Sequence, residues 1–113
     1  MLGCDIADIR RINRSYERHG AAFLNKILTQ AEQDIFFKRG ESITFLAGRF
    51  AAKEALSKAL GTGIGRLAFT DIEVLPNEFG QPALTVRGYN FSKCELSISH
   101  SKGYAVAVCI LEY

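Results

Sequence analysis

Charged residues interrupt one helix-like segment that is otherwise built from alanine and leucine. The segment reads RFAAKEALSKALGTGIG over residues 49–65 and carries Arg49, Lys53, Glu54, Ser57 and Lys58. A helix advances about 100° per residue, which places the small apolar residues on one side and most of the polar ones, with Phe50, on the other. Glu54 and Lys58 have opposite charges and are four residues apart, and the two basic residues Arg49 and Lys53 have the same spacing. A solvated face with one salt bridge therefore also explains the pattern.

A glycine-rich tail follows this helix and changes what its charges could do. Gly61 alone would end the helix, yet the tail reads GTGIG. Extra glycines let backbone N–H groups approach a ligand closely, and successive N–H groups form anion-binding nests. Lysine and arginine bind phosphate oxygens. A carboxylate beside them favours a bridging Mg²⁺, which takes one or two carboxylates and completes its octahedron with phosphate oxygens and water.

A metal site of this kind needs a second carboxylate, and Asp5 is the best candidate. It follows the apolar residues 1–4, at the predicted junction between a strand and the first helix. An N-cap is an equally reasonable role for an Asp at such a junction. Asp71 is a weaker candidate, because the pattern TDIEV explains it as a turn residue before a strand.

His100 ends the strand-like segment CELSIS, where it could donate to a phosphate or only to its own turn. Ser97 and Ser99 share one face of that strand and leave room for a close neighbour. A hydrolase triad of His100, Asp5 and a serine at position 99 or 101 is disfavoured. An adjacent serine in a strand points to the opposite face, and the chain lacks a G-x-S-x-G motif.

Three helices are predicted in the first half of the chain. The first covers residues 6–18 and ends at Gly20. The second covers roughly residues 30–38 and begins at the capping box TQAE. The third follows Ser42 and runs to about Leu60, where a glycine stops it.

Strands are predicted in the second half. DIEVLP and PALTV read as two strands joined by the turn NEFGQ, and CELSIS alternates as a strand with one buried face. YAVAVCIL is a continuous apolar run, typical of a central strand buried on both faces, and SHSKG is the turn before it. Helices followed by an antiparallel meander predict one α+β domain over residues 1–113.

Composition limits the class of protein. The chain has 113 residues, 48% hydrophobic, with a net charge of +2, which indicates a globular domain rather than a general polyanion binder. Cys4, Cys94 and Cys109 lie in apolar stretches without metal-binding spacing, which predicts buried reduced thiols and a cytoplasmic location. No signal peptide and no apolar run of about 18 residues is present, so we expect no membrane partner.

The first helix carries a basic face. Arg11, Arg14 and Arg18 recur at helical spacing, away from the apolar stripe. A solvated face is one explanation. A basic-helix binding module without catalysis is the main alternative function, but it leaves Asp5 and Glu54 unexplained, and no aromatic residues interleave with the arginines.

Three segments together resemble holo-acyl-carrier-protein synthase, the small class of 4'-phosphopantetheinyl transferase: GCDIADIRRI, FLAGRFAAKEALSKALGTGIG and LSISHSKGYAVAV. Their order and spacing match nearly the whole chain. Cys4 stands where the family usually has an aliphatic residue, and SHSKG differs in detail from related turns but keeps the histidine. The resemblance implies helices packed on a small antiparallel sheet. It also implies a homotrimer with coenzyme A bound between neighbouring subunits, whereas a catalytically silent subunit of the same fold is a remote alternative.

The resemblance implies a transferase that moves 4'-phosphopantetheine from coenzyme A to a serine of apo-acyl carrier protein. The products are holo-acyl carrier protein, used in fatty acid biosynthesis and so in lipid metabolism, and 3',5'-ADP. Mg²⁺ is the implied cofactor, held by Asp5 and Glu54, and Lys58 completes the catalytic set by neutralising the pyrophosphate. Either Asp5 or a metal-held water takes the serine proton.

The resemblance also implies the binding residues. Arg49 and His100 contact coenzyme A phosphates, and Pro82 lies near the adenine. The full set of implied coenzyme contacts is Arg49, Lys53, Ser57, Lys58, Gly61, Thr62, Gly63, Pro82 and His100. The acidic carrier is expected on the first helix, where Arg11 matches the family best and Arg14 and Arg18 follow from spacing. No nucleic acid partner is expected.

Overall fold

A computed structural model describes residues 1–61 and 67–113. Within these ranges the helices are α1 (Ile9–His19), α2 (Ala21–Ile27), α3 (Gln30–Lys38) and α4 (Ile43–Leu60). The strands are β1 (Leu2–Asp8), β2 (Ile72–Pro76), β3 (Pro82–Val86), β4 (Lys93–Ser101) and β5 (Tyr104–Glu112). Helices packed on small antiparallel sheets confirm the predicted α+β class.

The described strands form two sheets rather than one meander. One has the order β1-β5-β4, and β2 and β3 form a separate antiparallel hairpin. The predicted meander is wrong because β1, the first strand in the chain, pairs along its whole length with β5, from Leu2 opposite Ile110 to Asp8 opposite Tyr104. The same pairing extends β1 to Asp8, so α1 begins at Ile9 and not at residue 6.

Helix ends follow the predicted cap residues, with two exceptions. Thr29 and Glu32 form the capping box of α3, and the Ser42 side chain accepts the Phe45 N–H at the start of α4. Gly61 ends α4 in the left-handed region at φ 75°. The first exception is α2, a seven-residue helix that was not predicted.

The second exception is the N-cap of α1. Asp8, not Asp5, takes this role, and its Oδ1 accepts the backbone N–H groups of Arg10 at 2.9 Å and Arg11 at 3.4 Å. Asp5 lies inside β1, so the N-cap explanation for Asp5 is wrong. Its carboxylate is thereby left for another role.

Helix α4 packs on the inner face of the three-stranded sheet with almost no space between the two backbones. Its alanines at positions 51, 52, 55 and 59 are buried, and a Cβ added at Gly3 of β1 would collide with the carbonyl oxygen of Ala55. A glycine inside a strand is typical of such a close backbone approach. The contact brings the next inward-facing residue of β1, Asp5, beside α4.

Strand β5 is central in its sheet, as predicted, but it is not buried on both faces of the chain. Ala105, Ala107, Cys109 and Leu111 point inward and are buried, whereas the alternate residues are exposed except for Val106, which is half-buried. We call the exposed apolar side the outer sheet face, and it comprises Leu2, Ile6, Tyr104, Val108 and Ile110. The continuous apolar run therefore reflects one buried face and one apolar face open to solvent.

The cysteines do not share one environment. Cys109 is buried and Cys94 half-buried, but Cys4 is exposed, so the prediction of a buried thiol is wrong for Cys4. Burial raises the pKa of the Cys94 thiol and raises that of Cys109 to about 12. Among the described helices, none combines the length and the hydropathy that crossing a bilayer requires.

Candidate active site

An ion pair joins β1 to the last turn of α4. Lys58 Nζ lies 2.8 Å from Asp5 Oδ1 and also donates to the Cys4 carbonyl oxygen at 3.2 Å. The Asp5 side chain is 14% exposed and that of Lys58 is 54% exposed, so the pair lies at the rim of the β1–α4 contact with one end open to solvent. The hydrogen bond to Asp5 raises the pKa of Lys58.

Glu54 lies one helical turn before Lys58 and completes a three-residue cluster. Partial burial raises the pKa of the Glu54 carboxyl, and the nearby charge of Asp5 raises it further, while Lys58 opposes the shift. Two carboxylates from different elements therefore repel one another beside a single ammonium. Asp5, Glu54 and Lys58, which were predicted to act together, lie together in the fold.

The donor set of this cluster fits a divalent cation. A cation between Asp5 and Glu54 would neutralise their repulsion, and Mg²⁺ typically takes one or two carboxylates. Across residues 1–61 and 67–113, no group of three or more His, Cys, Asp or Glu side chains is arranged to hold a metal. The remaining ligands would therefore be substrate oxygens and water.

A second group of predicted residues lines an open cavity between α4 and the β2–β3 hairpin. We call it the Arg49 cavity; its volume is about 390 Å³. Arg49, Pro82 and His100 all line it, together with Arg39 and Gly80. Three residues that are distant in sequence and were expected to contact coenzyme A thus share one cavity.

Backbone and ring contacts orient Arg49 in this cavity. Its Nε donates to the Val74 carbonyl oxygen at 3.2 Å, and its guanidinium lies over the Phe45 ring at 4.3 Å. Among the guanidinium nitrogens of Arg49, only Nε donates a hydrogen bond to the described residues. Burial lowers the pKa of Arg49 to about 10, so the guanidinium keeps its charge at neutral pH.

Lys53 and Ser57 do not lie on an exposed polar face. Both are fully buried: Lys53 Nζ donates to Glu32 Oε1 at 2.6 Å and to the Ile27 carbonyl oxygen at 2.7 Å, and Ser57 Oγ donates to the Lys53 carbonyl oxygen at 2.9 Å. The predicted face is wrong because α4 is covered by the sheet on one side and by α2, α3 and β2 on another. Coenzyme contact by these two side chains is therefore not retained.

The glycine-rich tail is described only at its first residue. Gly61 is exposed directly after the turn that carries Lys58. Thr62 and Gly63, also predicted to line the coenzyme, lie outside the described residues.

The basic face of α1 lies beside two open grooves. Arg11, Arg14 and Arg18 are exposed and line a groove of about 570 Å³ with Glu17 and His19. Arg11 also lines a smaller groove of about 300 Å³ whose apolar wall is formed by Ile6, Phe23 and Phe50. The sequence patterns did not single out this aromatic wall, because each phenylalanine comes from a different helix.

The alternative residues have other roles. His100 pairs with Ala105 on the inner side of the sheet, whereas the serines at positions 99 and 101 pair with outward-facing residues, so a hydrolase triad is excluded. The Asp71 carboxylate accepts the Ala68 N–H at 3.0 Å and pairs with Arg87 at 3.5 Å, which confirms its turn role.

Two structurally important residues were missed as such. Glu32 was predicted only as a capping residue, and the sequence gives no signal that its second oxygen reaches β2. Gly3 had a signal, because an isolated glycine in a strand pattern indicates a close backbone approach.

Comparison with known proteins places this geometry in a family. A family model for the 4'-phosphopantetheinyl transferase superfamily matches residues 1–109, and the chain belongs to that superfamily. Its relatives carry a more specific name: a holo-[acyl-carrier-protein] synthase of Oceanobacillus iheyensis is 47% identical over 113 residues, covering 98% of this chain and 94% of the relative. The predicted enzyme class is therefore confirmed.

Solved structures agree with the sequence comparison. The holo-[acyl-carrier-protein] synthase of Helicobacter pylori in complex with coenzyme A superposes with a TM-score of 0.91 at 35% identity, covering 99% of this chain and 100% of that one. A holo-(acyl-carrier-protein) synthase from Bacillus anthracis, in complex with CoA (3',5'-ADP), superposes with a TM-score of 0.85 at 42% identity over 98% and 94% of the two chains.

Proposed function

We propose that this transferase moves 4'-phosphopantetheine from coenzyme A to a serine of apo-acyl carrier protein, with Mg²⁺ as its cofactor. The products are holo-acyl carrier protein for fatty acid biosynthesis and 3',5'-ADP. The observation that carries the proposal is the convergence of Asp5, Glu54 and Lys58 at the contact of β1 with α4. The coenzyme bound to the Helicobacter relative supports the choice of substrate.

The residues of the cluster would have different roles in phosphoryl transfer. Asp5 and Glu54 would hold Mg²⁺, which supplies Lewis-acid polarisation of the pyrophosphate when bound. The ammonium of Lys58, half-exposed beside them, stabilises charge that develops on the leaving phosphate oxygen. The serine oxygen forms a bond to the phosphorus of the pantetheine arm, and the bond from that phosphorus to the oxygen of 3',5'-ADP breaks. No covalent enzyme intermediate is required.

A proton must leave the carrier serine as it attacks. Asp5 can accept it on the carboxylate oxygen that Lys58 does not hold, and a water molecule is the alternative acceptor. In the first route Asp5 becomes a neutral carboxylic acid, whereas in the second it keeps its negative charge beside the Lys58 ammonium.

The helix α4 separates the two groups of site residues, which supports a site shared between copies. Arg49 and Lys58 are nine residues apart, which is about 13.5 Å along the axis and about 180° around it. A single coenzyme A would have to wrap around α4 to contact both in one chain. Bound between neighbours, it can place its pyrophosphate at Asp5 and Lys58 of one copy and other phosphates in the Arg49 cavity of the next.

The outer sheet face supports the same proposal. Leu2 and Ile6 are 67% and 63% exposed, and Val108 and Ile110 lie beside them on β5. Contiguous exposed apolar surface of this kind is typical of an interface. We propose that this face is buried between subunits of a homotrimer; the number three follows from the family resemblance. We also propose that the protein is cytoplasmic, as its cysteine content predicts.

The carrier is proposed to dock on α1, where exposed arginines face solvent. Acidic partners gain encounter rate from such a face. The groove beside Arg11 leads from this surface to Ile6 and Phe50, and Phe50 lies one turn before Glu54 on α4. This continuity supports docking of the carrier next to the cluster of Asp5, Glu54 and Lys58.

Reconstitution tests the proposal. The purified chain, coenzyme A, Mg²⁺ and apo-acyl carrier protein are incubated, and the mass of the carrier is measured. We expect a gain of one phosphopantetheine per carrier, lost in Asp5→Asn and kept in the matched control Asp71→Asn, whose carboxylate lies outside the cluster. An unmodified carrier, combined with binding of nucleic acid, would favour the basic-helix binding module instead.

A further inference from the structure

One residue of β2 is held at both of its backbone polar atoms by charged side chains. The Val74 N–H donates to Glu32 Oε2 at 2.7 Å, and the Val74 carbonyl oxygen accepts from Arg49 Nε at 3.2 Å. Val74 is buried, so neither bond competes with bulk water. A single peptide residue thus connects Glu32 to the arginine of the Arg49 cavity.

Glu32 does more than cap its own helix. It is fully buried, and its Oε1 accepts the Thr29 N–H at 2.8 Å and the Lys53 ammonium at 2.6 Å. The cap and the ion pair use Oε1, whereas Oε2 reaches across to β2. Lys53 compensates the buried charge of Glu32, which would otherwise be strongly unfavourable.

The β2–β3 hairpin, which contains Val74, also contributes to the wall of the Arg49 cavity. In the β2–β3 hairpin, Val74 pairs with Leu84 and Pro76 with Pro82. Pro82 and Gly80, at the end of this hairpin, line the cavity together with Arg49. A displacement of Val74 would therefore move Arg49 and the hairpin wall relative to each other.

We infer that Glu32 and Lys53 are positioning residues for the coenzyme: through Val74 they hold Arg49 and the β2–β3 hairpin in the geometry that binds its phosphate. The inference rests on the proposed function of the Arg49 cavity. Stability alone does not require charged residues here, because a well-packed apolar pair often replaces a buried ion pair without loss. An apolar pair cannot, however, accept the N–H groups of Val74 and Thr29.

Two double variants separate these roles. Glu32→Gln/Lys53→Met removes both charges but keeps an amide oxygen as acceptor, whereas Glu32→Leu/Lys53→Met keeps similar volume without an acceptor. We expect the Leu variant to raise the KM for coenzyme A about tenfold or more, as loss of one oriented charged hydrogen bond predicts. The kcat and the KM for the carrier should stay within about twofold, and the Gln variant should recover most of the lost affinity.

A core variant controls for general destabilisation. Phe36 is fully buried on α3, near Glu32, but holds no bond to β2. Phe36→Leu should lower the melting temperature and leave the KM for coenzyme A unchanged. If the Leu double variant also lowered only the melting temperature, the positioning inference would be overturned.

Titration of coenzyme A separates failure of this inference from failure of the proposed function. No binding by the wild-type chain would overturn both. Wild-type binding that Arg49→Ala weakens, but the Leu double variant does not, would overturn only the positioning role. Should that variant not fold, amide NMR of the wild type provides the test. Coenzyme A should shift the Val74 and Thr29 N–H resonances together with Arg49 Nε–H, and a shift confined to Arg49 would overturn the inference.

Discussion

Lys58 on α4 donates a hydrogen bond of 2.8 Å to Asp5 on β1, two residues after Gly3, where the strand backbone approaches the helix backbone. Glu54 lies one turn away, near enough for its charge to interact with that of Asp5. The charges of the three side chains therefore interact with one another. Substitution of each residue has a different expected outcome.

Removal of either carboxylate should abolish most transfer. Asp5→Ala and Glu54→Ala each remove one of the two carboxylates proposed to hold Mg²⁺, so the metal should bind more weakly and in a different position against the pyrophosphate. Activity is measured over a Mg²⁺ series, and chelation of the metal in the wild type should reproduce the loss, reversibly. Circular dichroism checks that the fold is kept. Near-normal activity of either variant at limiting Mg²⁺ would contradict the assignment.

Lys58→Ala should lower kcat more than it weakens binding. The ammonium faces the charge that develops as the leaving group departs, and removal of such a stabilising group costs on the order of 10²–10³ in rate. Steady-state kinetics with varied coenzyme A measure both parameters. A rise in the KM for coenzyme A at constant kcat would instead identify Lys58 as a ground-state contact.

Charge reversal on α1 should impair the interaction with the carrier and no other step. Arg11→Glu/Arg14→Glu changes exposed charges that act mainly on encounter with an acidic partner, and salt screens them over about 10 Å at 0.1 M. We expect a higher KM for the carrier, a weaker dependence on ionic strength and unchanged binding of coenzyme A. Arg87→Glu, at an exposed position directly after β3, is the control. Identical salt curves for the double variant and the wild type would indicate a merely solvated face.

Gly3→Ala should destabilise the fold and the cluster together. The added methyl group would collide with backbone atoms of α4, which cannot rotate away as a side chain can. Overpacking of this kind costs about 1–3 kcal/mol or more in the free energy of unfolding. Gly48→Ala is the matched control, because its new methyl group meets only a side-chain methyl of Ile98, at 3.1 Å. Urea unfolding compares the two, and equal losses would argue against a special backbone contact at Gly3.

Mixing two inactive variants should restore activity. If each site takes Arg49 from one copy and Lys58 from its neighbour, a mixed assembly of Arg49→Ala and Lys58→Ala subunits contains some sites with both residues intact. The variants are unfolded and refolded together, and transfer is compared with each variant refolded alone. Activity that stays at the level of the separate variants would mean that every site is formed within one chain.

Local signals in the sequence predict the local structure well. The TQAE capping box, the Ser42 cap and the Gly61 stop involve residues within four positions of one another, so their chemistry is visible in a short window. The same holds for the turn NEFGQ, in which the Asn77 side chain accepts two backbone N–H groups. Asp5, Glu54 and Lys58 were grouped through residue type, spacing and family resemblance, and they do lie together.

Features set by distant contacts were predicted less well. Lys53 was predicted on a polar face because helical periodicity considers only the residues of its own helix. Its ion-pair partner Glu32 lies 21 residues away in the sequence. The length of β1 depends on pairing with β5 at the other end of the chain. The exposed outer sheet face looks the same in sequence as a face covered by another layer, since apolar residues suit both.

The glycine contact between β1 and α4 has a consequence for how this protein can change through evolution. The separation of Asp5 from Glu54 and Lys58 is set by main-chain atoms meeting main-chain atoms, not by the shape of any packed side chain. Apolar residues elsewhere in the core can therefore drift in size without altering the spacing of the three charges. Position 3 is excluded from that freedom, because every other amino acid adds a Cβ there. Mutational tolerance around this cluster should consequently be broad, with a sharp exception at one residue that has no side chain at all.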